Sequence, residues 1–577
     1  MDDEPILKDE FSWGCRTVQL KLFTFSLQLT GLPCCLNCYK IHHDILLEDI
    51  IGTSISNSKN PGCNDGDGRY LHVYWYPRKK VYESDKEMIL VCRKIICLRF
   101  NGNKEEAATR LKVWDRSVQY YSRGLVRISQ DAILSYVHPV HKPILFLVNP
   151  KSGKGLAEKL FHQQIEPVLV QAGRPFKLLL TTKPNHAREV IAHQDLSEWG
   201  AIVAVSGDGL IHEMINGLFE RKDWSSSFKT PFGVIPGGSG NGLARSLAYH
   251  RKEVHDRDGV FQNTLAVIRG ENKPIDLVCV ETKEGPIYSC LSIGFAFMAD
   301  VDIESECLRF IGDLRFPLWS IIRFTKLRYY RVRLWYLPAD NMELQKNGQK
   351  KNKKEKNQKN GSVSKRSRLS GLDNNGVQYE EGMGVYRSHD RYYSTCDTNY
   401  ESTICDDSSL HSYQEMDSET DSNTFCSISE TSEFLYSDQS KFKIPDLGVP
   451  TLNQPVPSSW VKLEDDFVLL YAVTQSHLTA TMHFSPSATP DDGVIWLTMI
   501  RRSYFSSGQV PRSLLVNVFT KSESGQQVLL PGVETIPVKS FRFEPVDNRG
   551  LITVDGEVIK TGKIQATILP SVLNMLA

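Results

Sequence analysis

SGDGLIHEMING, residues 206–217, follows the apolar run AIVAV and sets two glycines around a single carboxylate just where a helix begins. Gly207 and Gly209 allow close backbone approach and dihedrals closed to other residues, which leaves Asp208 at the carboxyl edge of a buried strand. There it could accept a proton from a hydroxyl or help hold a nucleotide-bound metal; taken alone it is equally a turn aspartate. The neighbouring sequence decides between these readings. PILFLVNP (143–150), LAEKLFHQQIEPVLVQAG (156–173), FKLLLTT (176–182), a helix from His186, AIVAVSG, a helix from Leu210, FGVIPG (232–237) and a helix from Asn241 alternate strand and helix. That rhythm predicts a parallel sheet layered with helices, its ligand at the carboxyl ends of the strands.

Two further glycine-rich turns follow strands of the same series. NPKSGKG (149–155) lacks the Walker A spacing, yet glycines entering a helix N-terminus present backbone N–H groups to an anion. PGGSGNGLARSLA (236–248) puts Asn241 at the head of a helix, where Asn is a good cap. Capping accounts for Asn241 but not for Gly237, Gly238, Gly240 and Gly242 together. Three such turns on one sheet edge make a polyphosphate cradle.

The rest of the chain divides by composition. Lys+Arg and Asp+Glu both total 68 in 577 residues, so no global field advertises a nucleic-acid partner. Thirteen cysteines without a secretory leader argue for a reducing compartment and a cytoplasmic protein. VQLKLFTFSLQL (18–29) has period two and is too short and polar to span a bilayer. Residues 1–138 read as a β-rich module, pleckstrin-homology-like, with strands RYLHVYWY and MILVCRKIICLRF closed by the helix EEAATRLKVWDRSVQYY. Within it Cys34, Cys35, Cys38, His42 and His43 cluster without the second ligand pair a zinc site needs, and read as loop cysteines and solvent histidines. Residues 139–285 form the α/β lobe, and 286–340 with 456–577 a mostly antiparallel β-rich lobe. Residues 341–455, a Lys/Asn run followed by a Ser/Thr/Asp/Glu tract, read as a disordered low-complexity insert, either a phosphorylated regulatory segment that binds regulatory proteins or a spacer.

NPKSGKG, SGDGLIHEMINGL and IPGGSGNGLARSLA, in this order and at these separations, resemble the diacylglycerol-kinase-like catalytic domain of lipid kinases. SIGFAFMADVDIESECLRFIGDLRF (292–316) and VDGE (554–557) bring the resemblance to the sphingosine kinases, over about residues 142–338 and 458–570. Ceramide kinases depart from the G-S-G-N pattern kept here, and diacylglycerol kinases have G-T-G-N there. The resemblance implies a three-layer α/β lobe binding ATP with Mg²⁺, and a β-rich lobe holding sphingosine or dihydrosphingosine.

Carried over by position, the resemblance makes Asp208 the general base on the lipid's primary hydroxyl. Asn149, Thr181, Ser206, Gly207 and Gly209 would surround the nucleotide, with Pro150, Lys151, Gly238, Ser239, Gly240 and Asn241 in the same loops. Arg309 and Arg315 would neutralise its phosphates, and Asp555, Gly556 and Glu557 would complete its site. Asp302 would recognise the amino and hydroxyl head, with Ser292 beside it; no resident metal site is assigned.

On the residues alone, Arg309 and Arg315 are six apart and reach one ligand only across a turn, for which Gly312 is a candidate; otherwise they are solvated surface. Asp300, Glu304 and Glu306 compete with Asp302 as partner of a protonated amine, and the spacing to the arginines selects Asp302. FPLWSIIRFTKLRYYRVRLWYLP (316–338) reads either as a basic amphipathic surface for an anionic membrane, inserting Leu318, Trp319, Ile321 and Ile322, or as a core helix and strand. DDG (491–493) is a turn without assigned role. Competing functions are ceramide or diacylglycerol phosphorylation, a catalytically silent membrane adaptor, and a soluble nucleotide or sugar kinase.

Overall fold

The computed structural model describes residues 4–31, 41–59, 69–83, 86–125, 128–135, 141–153, 155–254, 259–308, 315–339 and 448–576. The amino-terminal strands are β1 (Leu7–Trp13), β2 (Arg16–Leu22), β3 (Ser26–Gly31), β4 (His42–Leu46), β5 (Ile50–Ser56), β6 (Tyr70–Trp75), β7 (Arg78–Glu83), β8 (Lys86–Val91) and β9 (Lys94–Phe100). Seven of them form an antiparallel sheet in the order β4-β3-β2-β1-β9-β6-β5, and β7–β8 is a separate hairpin. Alternation does the work expected of period two: Val18, Leu20 and Leu22 of β2 all point inward. The helix Lys104–Tyr121 starts at Asn103, whose side chain accepts the Glu106 N–H. It buries Ala107, Leu111, Trp114 and Val118 against that sheet, and Trp114 Nε1 donates to Asp9 at 2.6 Å. The expected β-rich module is therefore present. Of the Cys/His cluster, His42 and His43 lie on β4, while Cys34, Cys35 and Cys38 lie outside the described residues.

The module packs on the lobe that follows. A Cβ on Gly52 would stand 2.1 Å from the Gln171 carbonyl oxygen, and Tyr76 Oη donates to Gln171 Oε1 at 2.6 Å. Ile89 of β8 donates to the Lys252 carbonyl at 2.7 Å and accepts from Val254 at 2.9 Å.

In the α/β lobe β10 (Ile144–Val148), β11 (Phe176–Leu180), β12 (Ala201–Ser206) and β13 (Phe232–Pro236) are parallel, in the order β11-β10-β12-β13. Leu145, Leu147, Ile202 and Ala204 pack on the helices His186–His193, Asp208–Phe219 and Gly242–His250. Phe146, Val148, Val203 and Val205 face Phe161, Val168 and the helix Val260–Arg269. Burial on both faces is why β10, β12 and β13 are continuous apolar runs, while the edge strand β11 is partly buried and carries Lys177, and three layers result.

The second lobe consists of β14 (Asn272–Thr282), β15 (Gly285–Ser289), β16 (Ser292–Ala296), β17 (Tyr330–Pro338), β18 (Val461–Val473), β19 (Ile495–Arg501), β20 (Glu534–Pro545), β21 (Ile552–Val554), β22 (Glu557–Ile559) and β23 (Ile564–Leu576). Its core gathers Phe295, Phe467, Phe541 and Phe543. β23 pairs antiparallel with β14 and β20, and through Met575 parallel with β13, so one sheet runs through both lobes. The DDG stretch is a structural turn: Asp492 accepts from Thr489, Val494 and Trp496 Nε1. Residues 316–338 fold as a helix (Arg315–Thr325) and then β17, yet Leu318, Ile321 and Ile322 are 48%, 59% and 46% exposed. Among the described residues no helix is long and apolar enough to cross a membrane.

Two boundaries differ from the compositional reading: β14, assigned to the α/β lobe, pairs with β23 in the β-rich lobe, and the insert ends before residue 448. Residues 448–455, assigned to the insert, pack on the β-rich lobe: Leu452 is buried, and the Thr451 and Gln454 carbonyls accept from the buried Arg542 at 2.7 and 2.8 Å. Pro, Gly, Thr and Gln carry little apolar pattern, so a segment held by its carbonyls is invisible to periodicity. Replacing Arg542 by Ala removes these bonds, with an expected loss of about 3 kcal/mol. Limited thermolysin digestion should then cut at Leu452, which the wild-type chain protects.

Candidate active site

β10, β12 and β13 end side by side, and the loops leaving them lock together through small residues. Ser206 Oγ donates to Ser152 Oγ at 2.9 Å, which also accepts the Gly207 N–H at 3.2 Å, while Gly237 N–H donates to the Ser206 carbonyl at 3.0 Å. A Cβ on Gly238 would fall 2.3 Å from Gly207 Cα, and one on Gly153 2.9 Å from the Gly237 carbonyl oxygen. The glycines therefore bring three backbones into contact. In the first loop Asn149 Oδ1 accepts the Lys151 N–H at 3.0 Å, closing a turn through Pro150 that leaves Lys151 exposed. Thr181 follows β11, buried, its N–H on the Val148 carbonyl at 2.8 Å.

Asn241 is not the side-chain cap expected from its position. It sits in the left-handed region with φ 56°, its Oδ1 accepting the Gly238 N–H at 3.0 Å and its Nδ2 donating to the Gly238 carbonyl at 2.7 Å. It thus closes a ring that contains Ser239 and Gly240. The cap comes from Asp208, whose two oxygens accept the N–H groups of Gly242 at 2.8 Å and Leu243 at 3.1 Å. Gly240 makes room for it, since a Cβ there would lie 2.9 Å from Asp208 Oδ2. Asp208 is 8% exposed, and burial pushes its carboxyl up to about 6 against the pull of those two N–H groups. Glu557, exposed, stands over the next residue, its Oε1 3.5 Å from a Cβ built on Gly209.

Asp555, expected at the nucleotide, has a different placement. It is buried with φ 51°, and its carboxylate accepts from Ser289 Oγ at 2.6 Å and the N–H groups of Cys290, Leu291 and Ser292 at 3.1, 3.0 and 2.9 Å. His212 Nδ1 lies 2.9 Å from it. Burial alone would raise this carboxyl, but the His212 imidazole, Ser289 and Ser292 hold it below the usual carboxylate range. His212 comes from the helix that Asp208 begins, and is steadied by Asn216, which also bonds the Tyr288 backbone in both directions. Asp555 therefore fastens the VDGE turn to both lobes. His212 and Asn216 were missed in the sequence; their spacing of four on the Asp208 helix was the available signal.

The turn carries Gly556 against Asp302, whose Oδ2 is 3.6 Å from a Cβ on that glycine. Glu557 on one side and Asp302 on the other thus join the lipid-head candidate to the Asp208 loop. On the helix Phe297–Glu304, Asp300 bonds Tyr330 Oη at 2.7 Å and Glu304 bonds Trp319 Nε1 at 3.0 Å and Arg323, which leaves Asp302 as the acid of these three against the VDGE turn. Arg315 is buried with Nη2 3.3 Å from Asp302 Oδ1. Ser292 Oγ lies 3.2 Å from Tyr471 Oη, and burial, with Asp302 nearby, raises that phenol and keeps it protonated. Arg309 and Gly312 lie outside the described residues. Among the described residues no group of three or more His, Cys, Asp or Glu could hold a metal ion.

This geometry is that of an α/β lobe with three glycine loops at its strand ends, continued by one sheet into an antiparallel β lobe. Residues 143–280 match the diacylglycerol kinase catalytic domain, and residues 464–577 the YegS C-terminal NAD kinase β-sandwich-like domain. Sphingosine kinase 1 of Rattus norvegicus is 31% identical over 440 residues, 75% of this chain and 90% of its own. Sphingosine kinase 2 of Homo sapiens is 30% identical over 565 residues, 92% and 84% of the two chains, and sphingosine kinase 1 of Caenorhabditis elegans 28% over 434, 73% and 78%. The chain belongs to the sphingosine kinase family.

Asp555→Ala should strand the donors of the 289–292 turn and His212. The expected cost is about 3–5 kcal/mol, read as a lower urea midpoint.

Proposed function

We propose that this enzyme transfers the γ-phosphoryl group of MgATP to the primary hydroxyl of sphingosine or dihydrosphingosine. The observation that carries the reading is the chain of contacts Asp208, Gly209, Glu557, Gly556, Asp302, which sets a buried carboxylate base and an amine-recognising carboxylate around one turn. The loops at Asn149–Gly153, Ser206–Gly209 and Gly237–Asn241 receive the phosphates through backbone N–H groups. The hydroxyl, hydrogen-bonded to Asp208, gives up its proton to that carboxylate as its oxygen bonds to the γ-phosphorus; the bond to the bridging oxygen breaks and ADP leaves. Arg315, and Arg309 by the family pattern, balance the phosphate charge. Mg²⁺ enters as part of the nucleotide substrate; the carboxylates of Asp208 and Asp555 are engaged by protein donors, and Glu557 is an exposed acid on that edge among the described residues. A sphingoid amine is cationic and pairs with Asp302, with Ser292 and Tyr471 near the head; the amide of ceramide and the esters of diacylglycerol offer no such charge. Exposed Leu318, Ile321 and Ile322 among basic residues suit peripheral recruitment of a cytoplasmic enzyme to an anionic membrane, and the 341–447 segment suits regulatory partners.

Asp208→Asn should lower lipid phosphate formation by roughly 10²–10⁴-fold with sphingosine as acceptor. In the wild type kcat/KM should fall as pH drops through about 6, where Asp208 takes up its proton. The sign for stability is opposite. The folded pKa is raised from 3.8, so this group's contribution is fully present below 3.8 and lost as pH rises through 6. A rate flat down to pH 5 would remove Asp208 as base.

Asp302→Asn should raise KM for sphingosine at least tenfold, about 1.4 kcal/mol, and narrow the preference over ceramide and diacylglycerol. Radiometric assays on the three lipids check it. Preference for a lipid without an amine would reassign the substrate, and no product from any of them would leave only an adaptor.

A further inference from the structure

The amino-terminal module meets the α/β lobe at the far ends of two helices whose near ends carry glycine loops. The first helix follows the Asn149–Gly153 loop and runs from Ala157 to Gln171, with a π turn at Phe161–Ile165. The module touches its last residue: a Cβ on Gly52 of β5 would stand 2.1 Å from the Gln171 carbonyl oxygen, and Tyr76 Oη donates to Gln171 Oε1 at 2.6 Å. The Tyr76 ring is wholly buried and stacks on Phe261 with centroids 5.4 Å apart.

The second helix is Gly242–His250, whose first N–H groups hold Asp208. Its far end closes with Lys252 at φ 58° and the Glu253 N–H on the Ala248 carbonyl. The Lys252 carbonyl and the Val254 N–H both go to Ile89 of β8, a short parallel pairing of module and lobe.

The near ends have no slack. Ala157 Cβ lies 3.6 Å from a Cβ built on Gly237, so the first helix starts against the third glycine loop. Tyr74, Tyr76 and Val91 of the module share one core with Ala157, Phe161 and Ile165 of that helix and with Val203 and Val205 of the sheet. A close-packed core passes a displacement on instead of absorbing it.

We infer that the module is a positioning element of the nucleotide site: Gly52 and Tyr76 seat the Asn149–Gly153 loop, and Ile89 seats the Gly238–Leu243 segment that holds Asp208. The inference rests on the assignment of these loops to the phosphates made under the proposed function. Gly52, Tyr76 and Ile89 are positioning residues, whose effect passes through the two helices. The sphingoid head is read by Asp302, on a different lobe, so module docking governs the nucleotide selectively.

The test uses the full chain and substitutions outside the site. Gly52→Ala forces the module off the Gln171 carbonyl, and Ile89→Pro removes the N–H given to Lys252. Tyr76→Phe deletes one hydroxyl and keeps the ring on Phe261. Leu20→Ala opens a cavity in the module's own core, three strands from β6, and controls for lost stability alone. Gly52→Ala and Ile89→Pro should raise KM for MgATP at least about fivefold and lower kcat, and Tyr76→Phe should raise it about threefold, with KM for sphingosine unchanged in all three. Leu20→Ala should leave both KM values at the wild-type level. Hydrogen exchange follows the route: Gly52→Ala should speed exchange most at 149–153, and Ile89→Pro most at 238–243. In the wild type MgATP should protect both segments. Absence of that protection would remove the loops as the phosphate cradle, and the inference with it. Protection in the wild type together with an unchanged nucleotide KM in the docking variants, an equal rise in Leu20→Ala, or an equal rise in KM for sphingosine would overturn the positioning role and leave the cradle standing. If Gly52→Ala or Ile89→Pro fails to fold, Tyr76→Phe decides.

Discussion

The hydrogen bonds from Gly242 and Leu243 to Asp208 set the rest of the centre. One carboxylate begins its own helix and caps the next, so the second and third glycine loops cannot move independently. Two glycines make that arrangement possible: Gly240 clears the carboxylate, and Gly238 lets its loop rest on Gly207. The N-terminus of the Gly242–His250 helix is occupied by the enzyme's own acid.

Asp555 performs the corresponding service between lobes. It gathers His212 from the α/β lobe and the 289–292 turn from the β-rich lobe, which fixes Gly556 and Glu557, the two residues that follow it. A carboxylate in a sequence motif can therefore be indispensable without facing a ligand: VDGE presents its glutamate outward because its aspartate is consumed inward.

The sequence made the parallel lobe legible because strands buried on both faces are unbroken apolar runs, and each glycine loop stands at the end of one of them. The β-rich lobe and the amino-terminal module were legible as strands, though not in their pairing, since β9 returns to β1 and β23 to β13 across long separations. Asp208 and Asp302 could be picked out with the family pattern in hand. The roles of Asn241 and Asp555 could not, because both depend on which backbone groups come near in three dimensions. Composition also failed at residues 448–455, where a buried arginine grips carbonyl oxygens that any residue would provide.

The pairing of β23 with β13 bears on how the molecule is assembled. The outer edge of the parallel sheet, complete in sequence by Pro236, is covered only when residues 564–576 have been synthesised. The α/β lobe therefore completes this sheet edge late in synthesis. The α/β lobe must wait with an exposed strand edge, a situation in which chaperone binding competes with strand addition. The segment between β17 and β18 lengthens the interval between the synthesis of β13 and that of β23.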